Sequence, residues 1–220
     1  MEEQHGLCKR GGRFDWIIDE SKFLSAQEVK KLKETTRRRA LVAERSGAKV
    51  AVRDWLLIDL ALSTGLRVQE IADLKCGDVF VNDGKSSLLV RNGKGGRARV
   101  VRLGSDFKEH ALQYLGWKDP KGEPTESGSP LLWSRRKCSR MSTRALQRAF
   151  KRCARLAELS KHYSIHSLRH TYATALLKAS KNNLRMVQTS LGHSSLAVTE
   201  VYLGVASSDM DKALRNLYKG

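Results

Sequence analysis

The chain has 220 residues, with 41 Lys+Arg against 23 Asp+Glu, a formal net charge of +18 and a pI near 10.1. At about 150 residues per domain, this length holds one large domain or two small ones, with core enough to do without disulfides. A hydrophobic share of 40% beside 29% charged residues excludes wholesale disorder. The charge surplus points to a polyanionic partner (DNA, RNA or an anionic membrane surface), against the plain alternative of a basic protein without one. Cys8, Cys76, Cys138 and Cys153 form no CxxC pair. That spacing argues against a zinc ribbon or a disulfide framework, and the four read as reduced thiols of a cytoplasmic protein. Residues 1–13 contain no apolar signal core, and no apolar run approaches the roughly eighteen residues of a membrane span.

In chain order, residues 1–22 read as an N-terminal arm or linker remnant around Gly11-Gly12. Ser25-Ala26-Gln27-Glu28 has capping-box spacing and predicts a helix running toward Glu44. Its Arg37-Arg38-Arg39 run is equally a solvated face or a DNA contact. Residues 51–62 (AVRDWLLIDLAL) are apolar nearly all round and predict the central helix of the core. A break at Ser63-Thr64-Gly65 precedes a short helix from about Arg67 to Leu74. Ser87–Arg91 and Ala98–Leu103 favour strands joined by a hairpin loop, Asn92 to Arg97. A helix at about 106–115 leads into a Pro/Gly/Ser-rich loop, 116–130. Helices then follow at 142–159, about 167–179, 183–191, 195–204 and 209–218, with Gly192 placed as a C-cap glycine. The sum is α+β in class, mainly helical with one small antiparallel sheet or hairpin.

Five places set basic or nucleophilic residues beside backbone breaks. Arg67 opens a helix, where a cation opposes the helix dipole, so Glu70 three residues on is its natural partner. Alone, that pair reads as well as a simple salt bridge. Lys94 lies on a glycine hairpin flanked by Arg91, Arg97, Arg99 and Arg102. The P-loop spacing is absent and the segment joins strand to strand, which excludes a nucleotide P-loop, and an ordinary turn lysine is the plain reading. His166 and Arg169 share a helix face near its N-terminus, a favourable place for an anion. His193 follows Gly192 just past a helix end. Tyr202, alone, reads as a core residue.

Jointly these residues suit attack on a DNA phosphodiester. Guanidinium forks match the oxygens of a phosphoryl centre, histidine can assist a tyrosine hydroxyl, and a lysine can protonate the departing oxygen. No acidic cluster for Mg²⁺ is evident, consistent with fixed cations replacing metal.

At this point the sequence resembles the tyrosine recombinase (phage integrase) family. The resemblance is carried by FLSAQEVKKL at 23–32, TGLRVQEIADL around Arg67, the Lys94 hairpin, HSLRHTYAT at 166–174 and LGHSSLAVTEVY at 191–202. It covers about residues 23–206 as a catalytic domain, with 207–220 a C-terminal helical tail carrying Met210, Ala213, Leu214 and Leu217 for protomer docking or packing in cis. It implies the DNA breaking-rejoining fold and a recombinase that cleaves and rejoins duplex DNA through a 3′-phosphotyrosyl intermediate, without metal, ATP or other cofactor. Tyr202 would be the nucleophile, Arg67 and Arg169 the phosphate clamps, Lys94 the general acid and His166 the base. His193 would bond the phosphate, Glu70 would brace the site, and Arg91, Arg97 and Arg99 would contact DNA. The implied partners are double-stranded DNA and further copies of the chain, as a tetramer during recombination, with no membrane. The implied setting is cytoplasmic, of prokaryotic, viral or mobile-element origin. Family members typically carry a DNA-clamping domain ahead of the catalytic one. With some 22 residues before it here, the chain reads as a fragment or as a stand-alone recombinase like the fimbrial phase-variation invertases. Cys76 replaces a frequent aromatic and reads as a packing change. The rivals are a type IB topoisomerase-like enzyme that nicks and reseals, and a non-catalytic DNA-binding regulator.

Overall fold

The structure is a computed structural model that describes residues 20–82, 84–91, 98–192, 199 and 202. Helix α1 (Ala26–Ser46) opens on the expected capping box. The Glu28 amide donates to Ser25 Oγ at 3.3 Å, and the Ser25 amide donates to Glu28 Oε2 at 2.8 Å. Its Leu32, Thr36, Ala40 and Ala43 form a buried stripe at helical spacing against α2 (Lys49–Thr64). As its all-round apolar composition predicts, α2 buries Leu56, Leu57, Ile58 and Leu60 and touches helices on several sides.

Helix α2 also buries two carboxylates, which must be paired to be tolerated there. Arg152 spans Asp54 with bonds of 2.6 and 2.8 Å. Asp59 meets His110 Nδ1 at 2.7 Å and Lys33 Nζ at 2.8 Å, and Trp55 stacks on the His110 ring. These pairs tie three other helices to the central one.

The sheet has three antiparallel strands, one more than expected: β1 (Val79–Phe80), β2 (Ser87–Val90) and β3 (Arg99–Arg102). Leu88 stands opposite Val101 and Val90 opposite Arg99, so one face carries Leu88, Val90 and Val101 into the core. With two residues, β1 is too short to raise an alternating pattern. The helix expected at 106–115 runs further, as α4 (Ser105–Lys118), into the stretch expected as loop. Lys118 explains the extension: it is fully buried, and its Nζ donates to the Pro130 and Leu131 carbonyls, both at 3.0 Å. The loop is therefore pinned to the core. Cys76 is buried beside the same loop, its Sγ near the carbonyls of Pro124 and Pro130.

A second two-stranded ribbon, β4 (Trp133–Ser134) with β5 (Ser139–Arg140), was not legible as strands. Then come α5 (Thr143–Leu156), α6 (Ile165–Ala179) and α7 (Leu184–Leu191). The class is as expected, mainly helical with small antiparallel sheets. The arm at 1–19, the hairpin loop at 92–97, the expected helix at 209–218 and all of 195–204 except 199 and 202 lie outside the described residues. No helix among the described residues is long and apolar enough to cross a membrane.

The buried residues form two clusters. The larger surrounds α2 and reaches the sheet, α4, α5 and the start of α6. The smaller lies between α6 and α7: Ala173, Leu177, Val187, Leu191 and Tyr202, with Phe23, Tyr172, Leu176 and Leu184 packed against it.

Candidate active site

The site is assembled where the end of α2, the sheet and α6 meet. Gly65 terminates α2 in the left-handed region at φ 60°, and a Cβ there would come within 2.3 Å of Tyr172 Cδ1. Only glycine satisfies both the dihedral and the contact. The turn it makes aims its carbonyl at α6, where it accepts a hydrogen bond from Arg169 Nη1.

Arg67 is not inside the first turn, as expected, but is the extended N-cap residue of α3 (Val68–Asp73). Glu70 compensates the cation as predicted. Its Oε2 accepts from the Arg67 amide at 2.8 Å, and its Oε1 accepts from Arg67 Nη1 at 3.1 Å. Arg99, expected among the DNA contacts, instead points inward on β3 and grips the same carboxylate with Nη1 at 2.8 Å and Nη2 at 2.9 Å. Its side chain is 13% exposed. Burial pushes the Glu70 carboxyl up, but the Arg99 hydrogen bonds, the Arg67 amide and the two guanidinium charges outweigh it, and it titrates below the ordinary range.

Arg169 is 7% exposed on α6. Besides the Gly65 carbonyl it reaches the Leu191 carbonyl through Nη2 at 3.0 Å. It thus fastens the segment before Arg67 to the residue before Gly192. Burial, with the Arg67 charge nearby, lowers its pKa to about 10, so it remains a cation at neutral pH. Gly192 caps α7 at φ 64° and lies on the Arg99 side chain, 2.8 Å separating a would-be Cβ from Arg99 Cδ.

Tyr202 is 3% exposed, seated in the smaller cluster. Its hydroxyl lies 3.1 Å from Nδ1 of His170, and the two rings sit 6.0 Å apart. Burial raises the Tyr202 hydroxyl, and the charges of Arg169 and Arg67 offset that in part. Burial, followed by the charges of His166, Arg169 and Lys22, holds the His170 imidazole below its usual value. A neutral imidazole can accept the tyrosine proton in this bond.

The structure therefore brings together Arg67, Glu70, Arg99, Arg169 and Tyr202. His166 is exposed one turn before Arg169. Arg91 pairs with Asp78, its Nε donating to Oδ1 at 2.6 Å. Lys94, Arg97 and His193 lie outside the described residues. Sequence reasoning passed over His170, although it repeats the imidazole of His166 one helical turn along α6. It also did not foresee the pairing of Arg99 with Glu70, although Arg99 is in phase with the buried Val101 on an alternating strand.

The model of the phage integrase family matches residues 22–208. A tyrosine recombinase of Agathobacter rectalis is 31% identical over 191 residues, covering 79% of this chain and 56% of its own length. The tyrosine recombinase XerC of Neisseria meningitidis serogroup B is 36% identical over 156 residues, covering 71% of this chain and 49% of its own. Thus the chain spans about half the length of the curated relatives it matches. Among solved structures, XerA recombinase superposes with a TM-score of 0.68 at 28% identity, over 90% of this chain and 64% of that one. XerH site-specific recombinase, in its post-cleavage complex with palindromic difH substrate, gives a TM-score of 0.71 at 27% identity, over 90% and 53%. Fold, matched span and the constellation around Arg67, Arg169 and Tyr202 agree, and the chain belongs to the phage integrase family.

Proposed function

We propose that this chain is the catalytic domain of a site-specific recombinase that cuts and rejoins duplex DNA through Tyr202. The observation that carries the reading is the convergence of Tyr202, Arg169 and the Arg67 turn on one side of α6. Tyr202 Oη would attack the scissile phosphorus, forming a 3′-phosphotyrosyl bond as the bond to the 5′-oxygen breaks. Arg67 and Arg169 would hold the non-bridging oxygens, on which charge accumulates in the transition state. Lys94 would protonate the departing 5′-oxygen and His193 would donate to the phosphate. The bond energy stays in the phosphotyrosine, so rejoining needs no ATP.

The resemblance assigns the base to His166, whereas the hydrogen bond of the Tyr202 hydroxyl favours His170. Since Tyr202 is nearly fully buried, it must be uncovered before a duplex phosphate can reach it. Double-stranded DNA is the proposed partner. The DNA-bound state of XerH and the lambda integrase tetramer on a Holliday junction support a tetramer of this chain on DNA during exchange. Residues 23–206 are the proposed catalytic unit, with 1–22 an arm and 207–220 a docking tail.

The test is covalent capture. A nicked suicide duplex, selected from a randomised pool for binding to this chain, should yield an SDS-resistant protein–DNA adduct that Tyr202→Phe abolishes. Tight binding without an adduct would leave the regulator reading. Relaxation of a supercoiled plasmid without exchange between two sites would leave the topoisomerase-like one.

A further inference from the structure

Arg99 sits where β3, the α3 cap and the end of α7 meet. It begins β3, directly after the segment in which Lys94 falls. Opposite the buried Val90, it faces the core in phase with Val101, whereas Val100 between them is 61% exposed. Both terminal nitrogens are bonded to the two oxygens of Glu70, the carboxylate that also caps Arg67. Its Nε is buried and donates to no group among the described residues. The flat part of the side chain lies under Gly192, so close that a Cβ there would come within 2.8 Å of both Cδ and Nε. A guanidinium placed in this way has little left to offer a DNA backbone. It does touch the neighbours of two residues with proposed roles: Arg67 through Glu70, and His193, the next residue in the chain, through Gly192.

We infer that Arg99 is a positioning residue of the cleavage site, which sets the Arg67 cap, through the shared Glu70 carboxylate, against the Gly192 turn and the start of β3. The inference rests on the recombinase reading. It also explains a choice of residue: lysine would keep the charge but could not span both carboxylate oxygens with fixed geometry. An error of about 1 Å in such an alignment is enough to cost on the order of 100-fold in rate.

The test compares Arg99→Lys, Arg99→Gln, Glu70→Gln and the pair Glu70→Gln/Arg99→Gln with the wild-type chain, using selected duplexes of the kind described above. Single-turnover adduct formation and the salt dependence of binding are read in parallel, and thermal melting identifies any variant that does not fold. Positioning predicts that Arg99→Lys loses on the order of 100-fold in adduct rate. In Arg99→Gln the slope of log K against log salt should stay at the wild-type value. The paired variant, which leaves no buried carboxylate without its cation, keeps the fold testable if the single changes do not melt cooperatively. Its rate loss should be smaller than the product of the two single losses. A slope lowered by about 1 in Arg99→Gln, which removes the charge, would identify a direct phosphate contact and overturn the inference. A wild-type adduct rate in Arg99→Lys would overturn it as well. If the wild-type chain itself forms no adduct, the recombinase reading fails. The slope then decides Arg99 on its own: a lowered value overturns the inward role, and an unchanged one supports the structural half of it.

Discussion

The two halves of the site are held by very different amounts of structure. Arg67, Glu70 and Arg99 are fixed to the large cluster around α2 by paired charges and by strand and helix ends packed on it. Tyr202 rests on the small cluster between α6 and α7, with one hydrogen bond of its hydroxyl to His170. Arg169 stands between them and bonds a carbonyl on each side. On the proposed reading, the contrast is what phosphoryl transfer by a tethered nucleophile requires. Electrostatic stabilisation works best when preorganised, whereas a nucleophile buried in the resting chain has to come out.

Truncation in each half breaks or sharpens this contrast. Leu57→Ala, in the large cluster, should cost about 4 kcal/mol of global stability in urea unfolding, because the packed neighbours of a central helix cannot collapse into the cavity. Gly65→Ala joins left-handed strain to an overlap with Tyr172 and should cost about 3 kcal/mol. It should also depress adduct formation more than its melting shift explains, since the same turn aims the Gly65 carbonyl at Arg169. Leu177→Ala, in the small cluster, should cost less than about 2 kcal/mol globally, because a small unit opens locally. Its clearer effect should be faster nitration of Tyr202 by tetranitromethane. A global loss equal to that of Leu57→Ala would show that the two clusters unfold as one.

The smallest effect is set by pH. The His170 imidazole titrates below its usual value of 6.5, so the folded chain resists its protonation. The stability contributed by the neutral form is therefore present above 6.5 and is lost as pH falls through the folded value. Glu70 is likewise held below its usual 4.5, and its contribution is lost only in stronger acid. On mild acidification Tyr202 should become more reactive while the Arg67–Glu70–Arg99 group stays intact, and His170→Gln should flatten that response. Simultaneous loss of both would remove the distinction between the halves.

Much of this was readable in advance wherever the signal is local. The Ser25–Glu28 box, the all-round apolar run of α2 and the glycine after α7 each act through residues within a few positions of one another. The Arg67–Glu70 pair is local in the same way. Arg99 and His170 were harder because each has a partner far along the chain, Glu70 and Tyr202 respectively. The alternation of Arg99 with Val101 was visible, but a cluster of arginines in a basic chain suggested outward contact. Lys118 was lost for a related reason: nothing in a Gly/Pro-rich neighbourhood announces a buried ammonium bonded to two carbonyls.

The sequence by itself determined the class of the fold, the start and end of most helices, the surplus of +18 and the motifs that resemble the family. These depend on side-chain periodicity, capping and composition, which are properties of short stretches. Only the tertiary structure decided which arginine braces Glu70, which histidine meets the Tyr202 hydroxyl and how deeply that tyrosine is seated. Those outcomes depend on contacts between segments remote in sequence, and the packing of α6 against α7, and of β3 against the α3 cap, sets them.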